Sequence, residues 1–162
     1  MNTLKRITEA QDRILVALTT CENRVGDLYA EYGRLQPNMA TLWNKLTQEE
    51  RKHAELLEGV RDDLKKGELL RELNAFNIES VQHLIDYVNE RITEARRTAP
   101  SEADAVAIAL SIESSIIDAR FFSFVHSNGS SFQKAARQLE HDTEDHVKMI
   151  QDAKIALSKI KR

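Results

Sequence analysis

The apolar positions of this chain recur mostly every third or fourth residue, which is the spacing of one face of an α-helix. The pattern is clear in the stretch whose inward positions are Trp43, Leu46, Glu50, His53, Leu57, Val60 and Leu64. Five of these seven residues are apolar, so the face should be buried. A carboxylate and an imidazole, Glu50 and His53, nevertheless lie in the middle of it, one turn apart.

The same spacing, with its interruptions, predicts four long helices and one shorter helix. Pro37, Gly67 and Pro100 mark breaks, and Asn77 and Ser101 are placed to cap the helices that follow them. The predicted ranges are about 7–35 for helix A, from after 38 to about 66 for helix B, 78 to the break at 100 for the shorter helix, 101 to about 125 for helix C, and from about 131 to near the C-terminus for helix D. The chain is therefore predicted to be all-α.

The lengths of the connections predict how these helices are arranged. Helices A and B, and helices C and D, are joined by short breaks, so each pair should form an antiparallel hairpin. Helices B and C are separated by about 35 residues, which are enough to cross from one end of a bundle to the other. The predicted fold is a single domain over residues 1–162, a four-helix bundle of two antiparallel hairpins joined by a long crossover that carries the shorter helix.

Composition agrees with a helical bundle and narrows the classes of partner. Apolar residues make up 41% of the 162 residues, and Gly (5) and Pro (2) are scarce. The net charge of −3 and the even spread of basic residues argue against binding to nucleic acid or to an anionic membrane. The single cysteine, Cys21, excludes an internal disulfide and a Cys-rich metal site, and it favours a cytoplasmic location.

The polar residues on the inner faces are predicted to lie at one height. Glu22 and Glu50 are each about 14 residues from the turn between helices A and B, and Glu113 and Thr143 are each about 15 residues from the turn between helices C and D. Residues equally distant from the turn of an antiparallel hairpin lie side by side, here on the order of 21–22 Å from the turn. Two such hairpins packed together would bring these residues into one layer near the middle of the bundle.

A layer of buried carboxylates and imidazoles indicates a bound metal. A buried, unpaired carboxylate costs several kcal/mol, and several of them facing one another would cost more unless a cation compensates them. Glu and His one turn apart can bind the same metal ion, and Glu residues from other helices can bridge or complete the site. The predicted metal ligands are Glu22, Glu50, His53, Glu113 and His146.

These features resemble the ferritin-like superfamily, and within it the rubrerythrin/bacterioferritin-type di-iron bundle proteins. That family places a Glu seven residues before an aromatic on its first helix, as Glu22 and Tyr29 are in ENRVGDLY. It places Glu-x-x-His on the second helix, as in ERKH at 50–53, a Glu on the third, as Glu113 in IESSII, and Glu-x-x-His on the fourth, where His146 matches. The resemblance implies a non-haem iron centre, with manganese as an alternative, that reacts with oxygen or peroxide or that oxidises and stores iron.

One position departs from the family pattern. Aligning LTQEERKHAELL with LEHDTEDHVKMI places Thr143 where the family has the Glu of the fourth helix. Asp142 and Glu144 are expected to point elsewhere on the helix, and Glu140 would lie about 4.5 Å too far along the axis. The sequence is therefore compatible with a site that binds one metal ion, two or none. The alternative function is that of a metal-free bundle that acts through assembly or partner binding.

The resemblance also implies protein partners. Bundles of this type commonly pair through outer apolar residues, so a homodimer is expected, with Phe122, Phe132 and the 78–92 helix as candidate contacts. The rubredoxin-like Cys-x-x-Cys module of full-length rubrerythrins is absent from the sequence, which has one cysteine. Electrons for a redox reaction would therefore come from another protein.

Overall fold

The computed structural model of the chain describes residues 3–67, 77–119, 121 and 131–160. Within these ranges the chain forms five α-helices and one short 3-10 helix, and it contains no strand, which confirms the predicted all-α class. The helices are α1 (Thr3–Leu35), α2 (Ala40–Lys65), α3 (Ile78–Arg97), α4 (Glu102–Asp118) and α5 (Ser131–Ile160), with the 3-10 helix (Pro37–Met39) between α1 and α2. None of the helices in the described ranges has the length and hydropathy that crossing a bilayer requires.

Several helix ends are fixed by the residues that the sequence analysis identified. The Asn77 side chain accepts a hydrogen bond from the backbone N–H of Glu79 at 3.0 Å, so Asn77 caps α3. The Ser101 hydroxyl accepts from the backbone N–H of Asp104 at 3.1 Å and caps α4. Gly67 follows α2 with a φ angle of 102°, a conformation that glycine adopts without strain.

The end of α4 differs from the prediction. The helix ends at Asp118, seven residues before the predicted end near Val125. The backbone N–H of Phe121 donates to the carbonyl of Ile116 at 3.3 Å, five residues earlier, so the chain leaves the regular helical hydrogen-bond pattern here. The segment 122–130, which includes the rest of the predicted extension, lies outside the described residues.

The contacts between helices give their relative directions. Pairs that join an early residue of one helix to a late residue of another show that α1 is antiparallel to α2 and to α4, and that α2 is antiparallel to α5. These pairs are Asp12–Arg61 and Asp27–Arg51, Tyr29–Glu113 and Gln36–Pro100, and Glu49–His146 and His53–Asp142. Helices α2 and α4 therefore run in the same direction, and the chain between them must return along the bundle.

Helix α3 makes that return by lying parallel to α1. Arg24 donates to Asn89 at 2.6 Å, and Arg96 lies 3.6 Å from Glu31, so both residue numbers increase together along the pair. The apolar stripe of α3 is buried within the chain itself, at Val81, Leu84, Ile85, Val88, Ile92 and Ala95. A dimer contact of this helix, which the sequence analysis expects, would therefore use residues outside the stripe. The side chains of Phe122 and Phe132 lie outside the described residues, and the homodimer stays a prediction.

The buried stripe of α1 can be tested by comparing adjacent residues. Leu15 is fully buried, whereas Val16, which follows it, is 38% exposed. Replacing Leu15 with Ala is expected to lower the free energy of unfolding by about 2–5 kcal/mol, because the lost side chain leaves a cavity. Val16→Ala should change it by no more than about 1 kcal/mol. Urea unfolding followed by circular dichroism measures both, and equal losses would mean that α1 faces the core differently.

Candidate metal centre

Four helices bring carboxylate and imidazole side chains together in the middle of the bundle. Glu22 comes from α1, Glu50 and His53 from α2, Glu113 from α4 and His146 from α5. Each of these residues is at most 1% exposed. The structure therefore brings all five predicted residues into one buried cluster, which is called the centre below.

Glu50 is shared between two similar halves of the centre. Its Oε1 lies 2.9 Å from Nδ1 of His146, and its Oε2 lies 3.5 Å from Nδ1 of His53. Each of these imidazole nitrogens faces a second carboxylate, which is Glu22 at 3.4 Å for His53 and Glu113 at 3.5 Å for His146. The two rings lie nearly parallel, with their centroids 5.1 Å apart. Each half thus contains one imidazole nitrogen, one carboxylate of its own and one oxygen of Glu50.

The outer nitrogen of each imidazole faces a carboxylate on the opposite helix. Nε2 of His146 on α5 donates to Oε2 of Glu49 on α2 at 2.8 Å. Nε2 of His53 on α2 lies 3.4 Å from Oδ2 of Asp142 on α5. The hydrogen bond from His146 to Glu49 orients the His146 ring, so that its other nitrogen points to the middle of the centre.

Both of these outer carboxylates were missed or misplaced by the sequence analysis. Asp142 was expected to point elsewhere on its helix, and Glu49 was not identified. Each acidic residue lies four positions before the histidine of its own helix, as Glu49 does before His53 and Asp142 before His146. Because α2 and α5 are antiparallel neighbours, each carboxylate reaches the histidine of the other helix. An acidic residue at this spacing on both helices was the signal in the sequence.

Two further residues complete the surroundings of the centre. The hydroxyl of Tyr29 donates to Oε1 of Glu113 at 2.7 Å, and the ring of Tyr29 stacks on that of Trp43 at 5.7 Å. Tyr29 therefore holds one carboxylate of the centre. Gly26 of α1 lies against α2, where a Cβ atom on Gly26 would come within 3.3 Å of Cβ of Glu50. The absence of a side chain at Gly26 therefore lets the two helices approach closely at this level.

Thr143 occupies the position of the absent carboxylate on α5. Its side chain is buried, with 2% exposure, and its hydroxyl donates to the carbonyl of Leu139 at 2.7 Å within the same helix. The neighbouring acidic residues Glu140 and Glu144 are exposed. In the described part of α5, therefore, only His146 faces Glu50 as a metal-binding group.

Most of the polar atoms of the centre have no hydrogen-bond partner. Among the described residues, nine buried side-chain nitrogen and oxygen atoms lack one, and seven of the nine belong to the centre. The short contacts between these atoms do not have the angles of hydrogen bonds, so the atoms surround a shared space. Unsatisfied buried groups of this kind point to a ligand. Atoms of Glu50, His53 and His146 lie within 4.8 Å of one another and could hold one metal ion.

The arginines nearest in sequence do not compensate the buried carboxylates. Arg51 contacts Asp27 and Asn23, and Arg24 contacts Asp27 and Asn89. The charges that face the three carboxylates of the centre in the described residues are those of its two imidazoles. Carboxylate and imidazole donors together fit a divalent transition metal.

The electrostatics of the centre keep both imidazoles protonated when no metal is present. Burial lowers the pKa of His53, but its contacts with Glu22 and Glu50 outweigh burial and raise that pKa to about 11. Burial likewise lowers the pKa of His146, and Glu113 and Glu50 raise it to about 11. Burial raises the pKa of Glu50, but its contacts with Glu22 and the two histidines lower it overall. A metal ion must therefore displace protons to bind the imidazoles.

The pKa values of Glu22 and Glu113, the two carboxyl groups that each belong to one half of the centre, shift in the opposite direction from that of Glu50. Burial, together with the charge of Glu50, raises the pKa of Glu22 well above its ordinary value, against the opposing effect of His53. Burial and the charge of Glu50 also raise the pKa of Glu113. Glu50 is therefore the group that stays ionised most readily, which suits its position between the two imidazoles.

Comparisons with models of known protein families, with curated proteins and with solved structures found no match. The residues of the centre and the geometry between them are therefore the basis for a functional proposal.

The stability of the metal-free protein should fall as the pH rises above about 6.5. An imidazole pKa raised from 6.5 to about 11 stabilises the folded state fully below pH 6.5, and this contribution is lost as the pH rises toward 11. Chemical unfolding in the presence of a chelator, from about pH 6 to pH 9, measures the slope of the unfolding free energy.

The double variant His53→Gln, His146→Gln should have a clearly smaller slope, because the contribution of the two imidazoles is lost. The matched control is His83→Gln, because His83 is exposed on α3 and lies outside the centre. A double variant with an unchanged slope would show that the centre does not hold its protons on these imidazoles.

Proposed function

We propose that the protein is a ferritin-like, non-haem metal-binding protein whose centre holds iron, with manganese as an alternative, and that it reacts with oxygen or peroxide or handles iron. The observation that carries this proposal is the position of Glu50, whose two oxygens face the imidazoles of His53 and His146 without hydrogen bonds. Metal centres in helical bundles are built from Glu and His side chains that project inward from facing helices. The directions of α1, α2, α4 and α5, with the long return through α3, support the ferritin-like assignment.

Each residue of the centre has a role in this proposal. Glu22 and His53 would bind metal in one half, Glu113 and His146 in the other, and Glu50 would contribute an oxygen to each. Iron, when bound, would supply the redox chemistry with oxygen or peroxide. The chain itself orients the donors and excludes water, since every donor residue is almost fully buried.

The number of metal ions is open between one and two. Glu50, His53 and His146 together form a set of two imidazoles and one carboxylate, which suits a single iron ion. The two halves described above suit two ions that share Glu50. Thr143 supplies no second bridging carboxylate, so the second ion is expected to bind more weakly than the first.

The proposal includes the partners and the location that the sequence suggested. The 162 residues contain one cysteine, so a redox reaction would draw electrons from another protein. A homodimer and a cytoplasmic location are also part of the proposal. Sedimentation velocity of the purified protein measures directly whether it is a homodimer.

Metal content is the direct test of the proposed function. Protein prepared without chelator and reconstituted anaerobically with iron(II) or manganese(II) is expected to retain about one to two equivalents after gel filtration. Glu50→Gln should abolish this retention, because both halves lose an oxygen. The matched control is Glu55→Gln, since Glu55 is exposed on the same helix. Retention below about half an equivalent in the native protein would contradict the proposal.

Restoring a carboxylate on α5 should increase metal loading. Thr143→Glu is expected to raise the bound metal toward two equivalents, because the new side chain would project from the position opposite Glu50. Thr93→Glu is the control, since the Thr93 hydroxyl also bonds to a carbonyl four residues earlier but lies exposed on α3. If both variants load as the native protein does, Thr143 does not occupy the bridging position.

The alternative function is a metal-free bundle that acts through assembly or partner binding. Thr143 and the protonated imidazoles favour it, because the centre can balance part of its charge without metal. In that case the double variant Glu50→Gln, His53→Leu should leave the melting temperature equal or raise it, since it removes both members of a buried charged contact rather than one. A loss of stability in this variant that appears only when metal is present would exclude the alternative.

A further inference from the structure

A polar groove lies between α2 and α5 on the outer side of the centre. It has a volume of about 510 Å³. Of its nine lining residues four are acidic and three are lysines, and Met149 is the apolar one. A groove lined mainly by charged side chains does not suit an apolar molecule, and its carboxylate oxygens suit a hydrated cation.

The groove reaches the centre through two carboxylates. Glu49 and Asp142 both line it, and they are the residues whose oxygens face Nε2 of His146 and of His53. Their side chains are 29% and 30% exposed, whereas those of the two histidines are at most 2% exposed. Each carboxylate thus meets solvent on one side and a buried imidazole on the other.

One imidazole nitrogen on this side has no hydrogen-bond partner. Nε2 of His53 is buried and faces Asp142 at 3.4 Å without the geometry of a hydrogen bond. Oδ1 of Asp142 accepts instead from the side chain of Gln138, at 2.7 Å. Asp142 is therefore held by its own helix and presents its other oxygen between the groove and the imidazole.

We propose that this groove is the route by which a hydrated divalent cation reaches the centre, and that Glu49 and Asp142 are the carboxylates that receive it. This inference rests on the proposed metal-binding function. At the inner end of the groove, these two carboxylates would replace some of the water molecules bound to the cation before the buried donors of the centre replace the others. The side of the centre around Tyr29 and Trp43 offers no such path, because both aromatic residues are fully buried.

The lysines of the groove repel a cation, so the proposal also predicts how removing a lysine changes the rate of cation binding. Lys148 is paired with Asp145 at 3.1 Å, so these two charges largely offset each other. Lys45 and Lys52 lie about one turn before and after Glu49 on α2 and line the groove. Removing a lysine should therefore speed cation binding, whereas removing a carboxylate should slow it.

The experiment is stopped-flow mixing of the metal-free full-length protein with cobalt(II), whose visible absorption changes when imidazole and carboxylate ligands replace water. Asp142→Asn is expected to lower the association rate constant about 10-fold. Asp86→Asn is its matched control, because Asp86 on α3 also accepts from a glutamine four residues earlier, Gln82, at 3.0 Å. Competition with a chelator gives the dissociation rate constant of each variant.

A charge variant provides the second arm. Lys52→Gln should raise the association rate constant about 2-fold to 3-fold at low ionic strength, and the difference should shrink in high salt. Lys65→Gln, at the other end of the same helix, should leave the rate unchanged. Far-ultraviolet circular dichroism of each variant verifies that it is folded.

The outcomes separate this inference from the function on which it rests. If the native protein binds no cobalt, the proposed function and the route both fail. If the native protein binds cobalt but Asp142→Asn and Lys52→Gln associate as their controls do, the route is wrong and the metal centre stands. A faster dissociation of Asp142→Asn with an unchanged association rate would mean that Asp142 only positions His53, which also overturns the route.

Discussion

The burial of three carboxylates and two imidazoles in one layer is the constraint on which the rest of the structure depends. Each of these residues is at most 1% exposed, and in the described residues no lysine or arginine forms an ion pair with the three carboxylates. An isolated buried charge costs several kcal/mol, so a misplaced helix would leave uncompensated charges in the core. The apolar stripes bring the helices together, but the charged layer selects the register in which they pack.

The coupling between α2 and α5 shows how that register is fixed. Each helix supplies one histidine to the centre and one carboxylate to the histidine of the other helix. A shift of α5 by one turn, about 5.4 Å, would separate both pairs at once. Thr143 is where the two helices cease to be equivalent, because α2 contributes Glu50 at the corresponding position. The centre is therefore symmetric in its histidines and asymmetric in its bridging oxygens.

Much of this arrangement could be predicted from the sequence, and the misses have a common cause. Helical periodicity identifies the inward face, and distance from a turn gives height, which together placed residues such as Glu22 and His146 in one layer. Both signals treat each helix separately. Glu49 and Asp142 lie beside the inward stripe, so their contacts with the histidines depend on how α2 and α5 are placed relative to each other. The end of α4 is followed by one wide turn at Phe121, and no residue type in the sequence marks that turn.

Protons and a bound metal ion would compete for the same atoms in this centre. Without metal, the raised pKa values of His53 and His146 keep both rings charged on either side of the ionised Glu50. A metal ion would bind the imidazoles only by releasing those protons. Magnesium and calcium prefer sites made of oxygen alone, whereas imidazole nitrogens favour transition metals. A centre with both donor types, protonated when empty, would therefore favour transition metals over magnesium and calcium, and its affinity for them would rise with pH.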